Sequence, residues 1–118
     1  MIFVIDDDRE WLGYYERLFC DYEVEVFSDG VAAMERMGEV VPDMVILDIL
    51  LVGPTGFSVM NEMQSYEDLA NVPVVVVSGV TVDKDLREYG AVMVFDKGKM
   101  LPEELLAVVK EYYGQHKD

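Results

Sequence analysis

Asp6, Asp7 and Asp8 form an unbroken acidic run, and Asp48, Ser78 and Lys97 stand alone further along the chain. Carboxylates brought close together repel one another unless a divalent cation neutralises them, and oxygen ligands without Cys or His point to Mg²⁺. Such a cation can draw in a phosphoryl group and offset charge on its oxygens. A lysine such as Lys97 offers a second cation to those oxygens, and a hydroxyl such as that of Ser78 offers a hydrogen bond. Asp48 lies between Val45-Ile46-Leu47 and Ile49-Leu50-Leu51, so its carboxylate should be partly desolvated and in need of a metal, a lysine or a proton. Central among these groups, it could attack phosphorus as a nucleophile. Each residue also has a plain reading. The acidic run can be a solvated turn and helix cap, Ser78-Gly79 a turn, and Lys97 a surface residue of a Lys-Gly-Lys loop. The chemistry therefore depends on whether the fold brings them together.

Short apolar runs supply the strands that could do so. They read Ile2 to Ile5, Val24 to Phe27, Met44 to Leu47, Val72 to Val77 and Ala91 to Phe95. Four are nearly continuous in apolar residues, as in strands covered on both faces, whereas Val24-Glu25-Val26-Phe27 alternates and belongs at an edge. Helical spacing lies between them. Trp11, Leu12, Tyr15, Leu18 and Phe19 make one stripe, with Cys20 near its end as a small apolar residue. Val31, Met34 and Met37 make a second, capped by Ser28 or Asp29 and stopped by Gly38. A third helix runs from about Thr55 to Tyr66 with Phe57, Met60 and Met63 inward, and a short fourth from Val82 to Tyr89. The last opens at Pro102-Glu103-Glu104, carries Leu105, Leu106, Val108, Val109 and Tyr112 or Tyr113, and ends near Gly114. Five βα units predict an α/β fold, a five-stranded parallel sheet of order 2-1-3-4-5 with helices on both faces, flavodoxin-like. Every polar candidate then stands at the carboxyl end of a strand, and Asp6 to Asp8 face Asp48 where strand order reverses.

Composition sets the bounds. The 118 residues, 52% of them apolar, make one domain over 1–118 with a single core. Nine basic residues against 24 acidic ones leave a formal charge of -15, which repels nucleic acid and anionic membrane and favours metal cations or a basic protein face. The lone Cys20 excludes an internal disulfide. No apolar run reaches the roughly 18 residues of a membrane span, and no signal peptide pattern is present, so a cytoplasmic setting is expected.

With these residues in order, the chain resembles the receiver domain of two-component response regulators, as a stand-alone, chemotaxis-regulator-like receiver. Val4-Ile5-Asp6-Asp7-Asp8, Asp48, Gly56, Ser78-Gly79, Gly90-Ala91 and Lys97 carry the resemblance over nearly the whole chain. It implies that Asp48 accepts a phosphoryl group from the phosphohistidine of a histidine kinase or phosphotransfer protein. It also implies Mg²⁺ held by Asp7 directly, by Asp6 through water, by Asp48 and by the backbone carbonyl of Leu50. Ser78 and Lys97 would hold phosphoryl oxygens and switch the binding of a downstream protein target. No turnover beyond the chain's own phosphorylation and dephosphorylation is implied. The family docks its kinase partly on the first helix, where Trp11, Tyr14 and Tyr15 lie, and Tyr112 and Tyr113 suit a partner or a homodimer through the last helices.

Several positions depart from the family pattern. Val94 stands where an aromatic residue commonly reports phosphorylation, Gly98 stands where proline commonly follows the lysine, and Val52 and Pro54 displace the usual loop proline. Gly98 predicts a more mobile turn. Leu50 and Val80, which flank the attacking water's path in the family, are apolar, so an Asp48 phosphate is expected to hydrolyse slowly. Two other readings compete. A pseudo-receiver would keep the fold as a protein-binding module without phosphorylation. A haloacid-dehalogenase-type phosphatase would use Asp6 as nucleophile, but Glu10 stands where it wants a hydroxyl or β-branched residue, and it has no use for Asp48. A flavodoxin fits less well, since three carboxylates would repel flavin phosphate.

Overall fold

The computed structural model describes residues 1–49, 55–80 and 85–116. Its strands are β1 (Ile2–Ile5), β2 (Val24–Phe27), β3 (Met44–Leu47), β4 (Val74–Ser78) and β5 (Ala91–Asp96). Its helices are α1 (Arg9–Leu18), α2 (Gly30–Met37), α3 (Gly56–Gln64) and α4 (Pro102–His116), with one 3-10 turn at Leu86–Tyr89. The sheet is parallel throughout, in the order β2-β1-β3-β4-β5.

Alternate residues of the central strands feed two cores. Phe3, Ile5, Val45, Leu47, Val74 and Val76 meet Ala33 and Met37 of α2 and Val59, Met60 and Met63 of α3. Ile2, Val4, Met44, Ile46, Val75 and Val77 meet Leu12 and Tyr15 of α1 and Leu105, Val108 and Val109 of α4. Each central strand is thus buried on both faces, which is why its sequence lacks polar alternation. β2 lies at an edge, half-buried, and its Glu25 is held by both oxygens to Arg36 of α2 at 2.9 and 3.0 Å. At the amino ends of β1, β2 and β3, Tyr22 meets Tyr113 edge-on at 5.1 Å, and the Met1 ammonium pairs with Asp43 and donates to the Tyr113 hydroxyl.

Side chains near the termini start the helices. Asp8 accepts from the Glu10 N–H, Asp29 from Ala32, and Thr55 from Ser58. Pro102 occupies the first turn of α4, and the Glu104 carboxylate reaches back to the Leu101 N–H.

Several sequence expectations need correction. β5 reads as fully covered, yet Met93 and Val94 are exposed, because β5 is the second edge of the sheet. Val31 is 48% exposed; small Gly30 and Ala33 let α2 lie close on the sheet, so the buried stripe is Gly30, Ala33 and Met37. Cys20 is exposed, since α1 ends at Leu18 and Phe19 takes the inward position beyond it. The described part of the fourth helical segment is a single 3-10 turn closed by Gly90 at φ 99°, and Val82 lies outside the described residues. The third helix is shorter than expected and the last runs to His116. The turn after β5 closes on Asp96, which accepts from the N–H groups of Gly98, Lys99 and Met100.

Candidate functional site

The register of the central strands assembles the site. Ile5 pairs with Leu47, so the next residues, Asp6 and Asp48, leave the sheet side by side. The Asp6 N–H donates to the Phe27 carbonyl and the Asp48 N–H to the Ile5 carbonyl, which fixes both backbones. On the far side Ser78 pairs with Asp96, and the Lys97 N–H donates to the Ser78 carbonyl. From there the Lys97 side chain passes Gly79 and returns across the sheet end. Its ammonium lies 2.8 Å from Asp6 Oδ2 and donates to Asp48 Oδ2 at 3.1 Å.

Asp6 and Asp48 are buried, at 1% and 6% exposure, while Asp7 is open to solvent. Carboxylate oxygens of Asp6, Asp7 and Asp48 lie within 4.8 Å of one another. Asp8 takes no part, because its carboxylate caps α1. Asp6 Oδ1 accepts from the Asp8 N–H, whereas the buried Oδ2 accepts no hydrogen bond from the described residues and meets Lys97 as an ion pair only. A buried carboxylate oxygen beside two further carboxylates, with one lysine to offset them, fits a hard divalent cation.

Burial raises the Asp6 pKa above its ordinary value; Lys97 and the Asp8 N–H pull it back only in part, and Asp48 adds to the rise. Burial works against the Lys97 ammonium, but the Asp6 and Asp48 carboxylates outweigh it and raise its pKa. The lysine is therefore a fixed cation at neutral pH.

Ser78 is buried at the end of β4, where its hydroxyl donates to the Val80 carbonyl and accepts from the Val80 N–H. Leu50, expected to lend a carbonyl and to border the water path, lies outside the described residues with Val52 and Pro54, and Val80 is exposed. Gly56 stands where it does for a steric reason. A Cβ there would lie 2.6 Å from the Asp48 carbonyl oxygen and 2.7 Å from Ile49 Cα.

Two neighbours of the site were not read as such in the sequence. The Trp11 ring lies under the Lys97 ammonium, 4.9 Å from Nζ to ring centroid. Tyr15 is buried, and its phenol is pushed well above its ordinary pKa, first by burial and then by Asp6 and Asp48. Both follow the acidic run within two helical turns, which was the available signal, but their helical spacing reads equally well as core.

The chain is similar to known proteins in sequence and in fold. The family described as response regulator receiver domain matches residues 2–110. A probable methanogenesis regulatory protein of Methanothrix harundinacea is 35% identical over 79 residues, covering 62% of this chain and 51% of that protein. A protein-glutamate methylesterase/protein-glutamine glutaminase of Oleidesulfovibrio alaskensis is 33% identical over 94 residues, 73% of this chain and 26% of that protein. The chain thus spans about half or less of the curated relatives it matches. Among solved structures, the receiver domain of a sensor histidine kinase from Pseudomonas aeruginosa, described with a magnesium ion coordinated in the active site cleft, superposes with a TM-score of 0.85 at 19% identity, over 96% of each chain. A chemotaxis protein from Vibrio cholerae superposes at 0.84 with 22% identity, over 94% of this chain and 96% of that one. At such identities the structural matches speak for the fold.

Proposed function

The chain belongs to the response regulator receiver domain family, and from that premise we propose that it receives a phosphoryl group on Asp48 from the phosphohistidine of a histidine kinase or phosphotransfer protein. The observation that carries this is the Lys97 ammonium bridging Asp6 at 2.8 Å and Asp48 at 3.1 Å, with Asp7 completing a cluster of three carboxylates. Asp6, Asp7 and Asp48, with the Leu50 carbonyl by the family pattern, would hold Mg²⁺. When bound, Mg²⁺ supplies positive charge against the phosphoryl oxygens.

The chain's own groups do the rest. An Asp48 carboxylate oxygen forms the new P–O bond as the donor's P–N bond breaks, and the leaving imidazole keeps the electron pair of that bond. Lys97 transfers its hydrogen bond from the carboxylate to a phosphoryl oxygen without changing protonation. Ser78 turns its hydroxyl from the Val80 carbonyl to another phosphoryl oxygen, which releases the turn after β4 and alters the surface offered to a downstream protein target. The chain catalyses only its own phosphorylation and dephosphorylation, in a cytoplasmic setting. The phosphatase reading is disfavoured because it gives no role to Asp48, which stands in the carboxylate cluster beside Lys97.

Incubation with acetyl phosphate and Mg²⁺, followed by borohydride reduction and peptide mapping, tests the assignment. One phosphoryl group per chain and homoserine at position 48 are expected. Steady hydrolysis of p-nitrophenyl phosphate with no adduct on Asp48 would favour the phosphatase instead.

A further inference from the structure

The site contains a cation held on three sides. Two sides are the Asp6 and Asp48 carboxylates, and the third is the face of Trp11. The Asp48 contact at 3.1 Å is an aligned hydrogen bond, whereas the Asp6 contact, though shorter at 2.8 Å, is a less directional ion pair. Lysine is a flexible stem with a point charge at its tip, so two carboxylates alone leave the ammonium free to slide between them. The indole removes that freedom. It is held in turn by Tyr14 edge-on at 5.3 Å and by Tyr15 at 5.7 Å. The helix carrying it starts at the Asp8 cap, two residues from Asp6, so ring and carboxylate share one rigid segment.

We propose that Trp11 is a positioning residue for Lys97, keeping the ammonium beside Asp48 so that the positive charge is in place when the phosphoryl group arrives. This rests on the phosphoryl-acceptor reading above. A desolvated cation over an indole gains enough for its loss to slow the reaction about tenfold. Trp11 also borders an open groove of about 270 Å³ with Glu10, Tyr14 and Arg17, so smaller side chains can be accommodated there without a closed cavity.

The test is the rate of labelling by acetyl phosphate with Mg²⁺, followed by intact mass in the parent, Trp11→Leu, Trp11→Phe, Lys97→Met and the Trp11→Leu/Lys97→Met double variant. Trp11→Leu should be about tenfold slower, and Trp11→Phe, which keeps a ring, should recover most of the rate. The double variant should be no slower than Lys97→Met, because the tryptophan acts only through the lysine. Trp11 is also the sole tryptophan, so its emission in otherwise unaltered protein reports the contact directly. Lys97→Met should change that emission, whereas Lys110→Met on the exposed face of α4 should not. A parent that takes no phosphoryl group would overturn the acceptor reading and this role together. A parent that labels, with Trp11→Leu at its rate, with equal slowing of Lys97→Met by Trp11→Leu, or with emission indifferent to Lys97, overturns the positioning role alone.

Discussion

Asp6 shows at residue scale how the site is balanced. Its carboxylate is buried beside Asp48, and the one lysine between them does not fully offset the burial, so its pKa lies above the ordinary 3.8. A raised carboxyl pKa in the folded state favours folding below the unfolded value, and that contribution is lost as pH rises through the folded value. Without metal, Asp6→Asn should therefore melt higher than the parent at pH 7 and show little advantage near pH 4. With Mg²⁺ at pH 7 the order should reverse, because the parent gains a ligand that the amide lacks. Melting curves in EDTA and in Mg²⁺ check both arms; an Asn variant less stable than the parent in EDTA at pH 7 would contradict the account. Asp48, Ser78 and Lys97 were legible because each is a polar residue closing an apolar strand. The Trp11 contact with Lys97 was not, since its partner comes from the other end of the chain and an aromatic on a helix stripe looks like core.

The elements deliver these residues through strand register and two close approaches. One is Gly56 at the start of α3, whose N–H donates to the Ile49 carbonyl at 2.9 Å and which leaves no room for a Cβ beside Asp48 and Ile49. Gly56→Ala should cost about 1–3 kcal/mol by overpacking. It should also slow acetyl phosphate labelling more than that loss of folded protein explains, because the backbone that must shift carries Asp48. Urea unfolding and labelling rate measured on one preparation separate the two effects. The other close approach is Gly90, whose left-handed φ of 99° closes the 3-10 turn before β5. β1, β2 and β3 begin and end where their apolar runs do, because the polar residues after β1 and β3 belong to the site and Asp29 after β2 caps α2. The helices were less legible. In α2 the small residues Gly30 and Ala33 face the sheet, so hydrophobicity pointed to Val31 and geometry did not. In β5 an apolar edge strand has the same composition as a buried one, and only its position in the sheet reveals the difference.

At the scale of the whole molecule, a formal charge of -15 sets the response to ions. Self-repulsion of the folded state weakens as salt shortens the Debye length, which is about 10 Å at 0.1 M. NaCl should thus raise the melting temperature of the parent, and Mg²⁺ at equal ionic strength should raise it further through the Asp6, Asp7 and Asp48 cluster. In Asp7→Asn the gain from NaCl should persist while most of the extra gain from Mg²⁺ disappears; equal extra gains in both proteins would show Mg²⁺ acting by screening alone. The same surface charge leaves recognition by a basic protein face favoured over nucleic acid. The most direct test of the central claim is intact mass after acetyl phosphate treatment of the parent and Asp48→Ala, each with and without Mg²⁺. A single phosphoryl adduct on the parent that requires Mg²⁺ and is missing from Asp48→Ala is expected. An adduct that survives in Asp48→Ala, or a parent that stays unmodified in Mg²⁺, would contradict the assignment of Asp48 as phosphoryl acceptor.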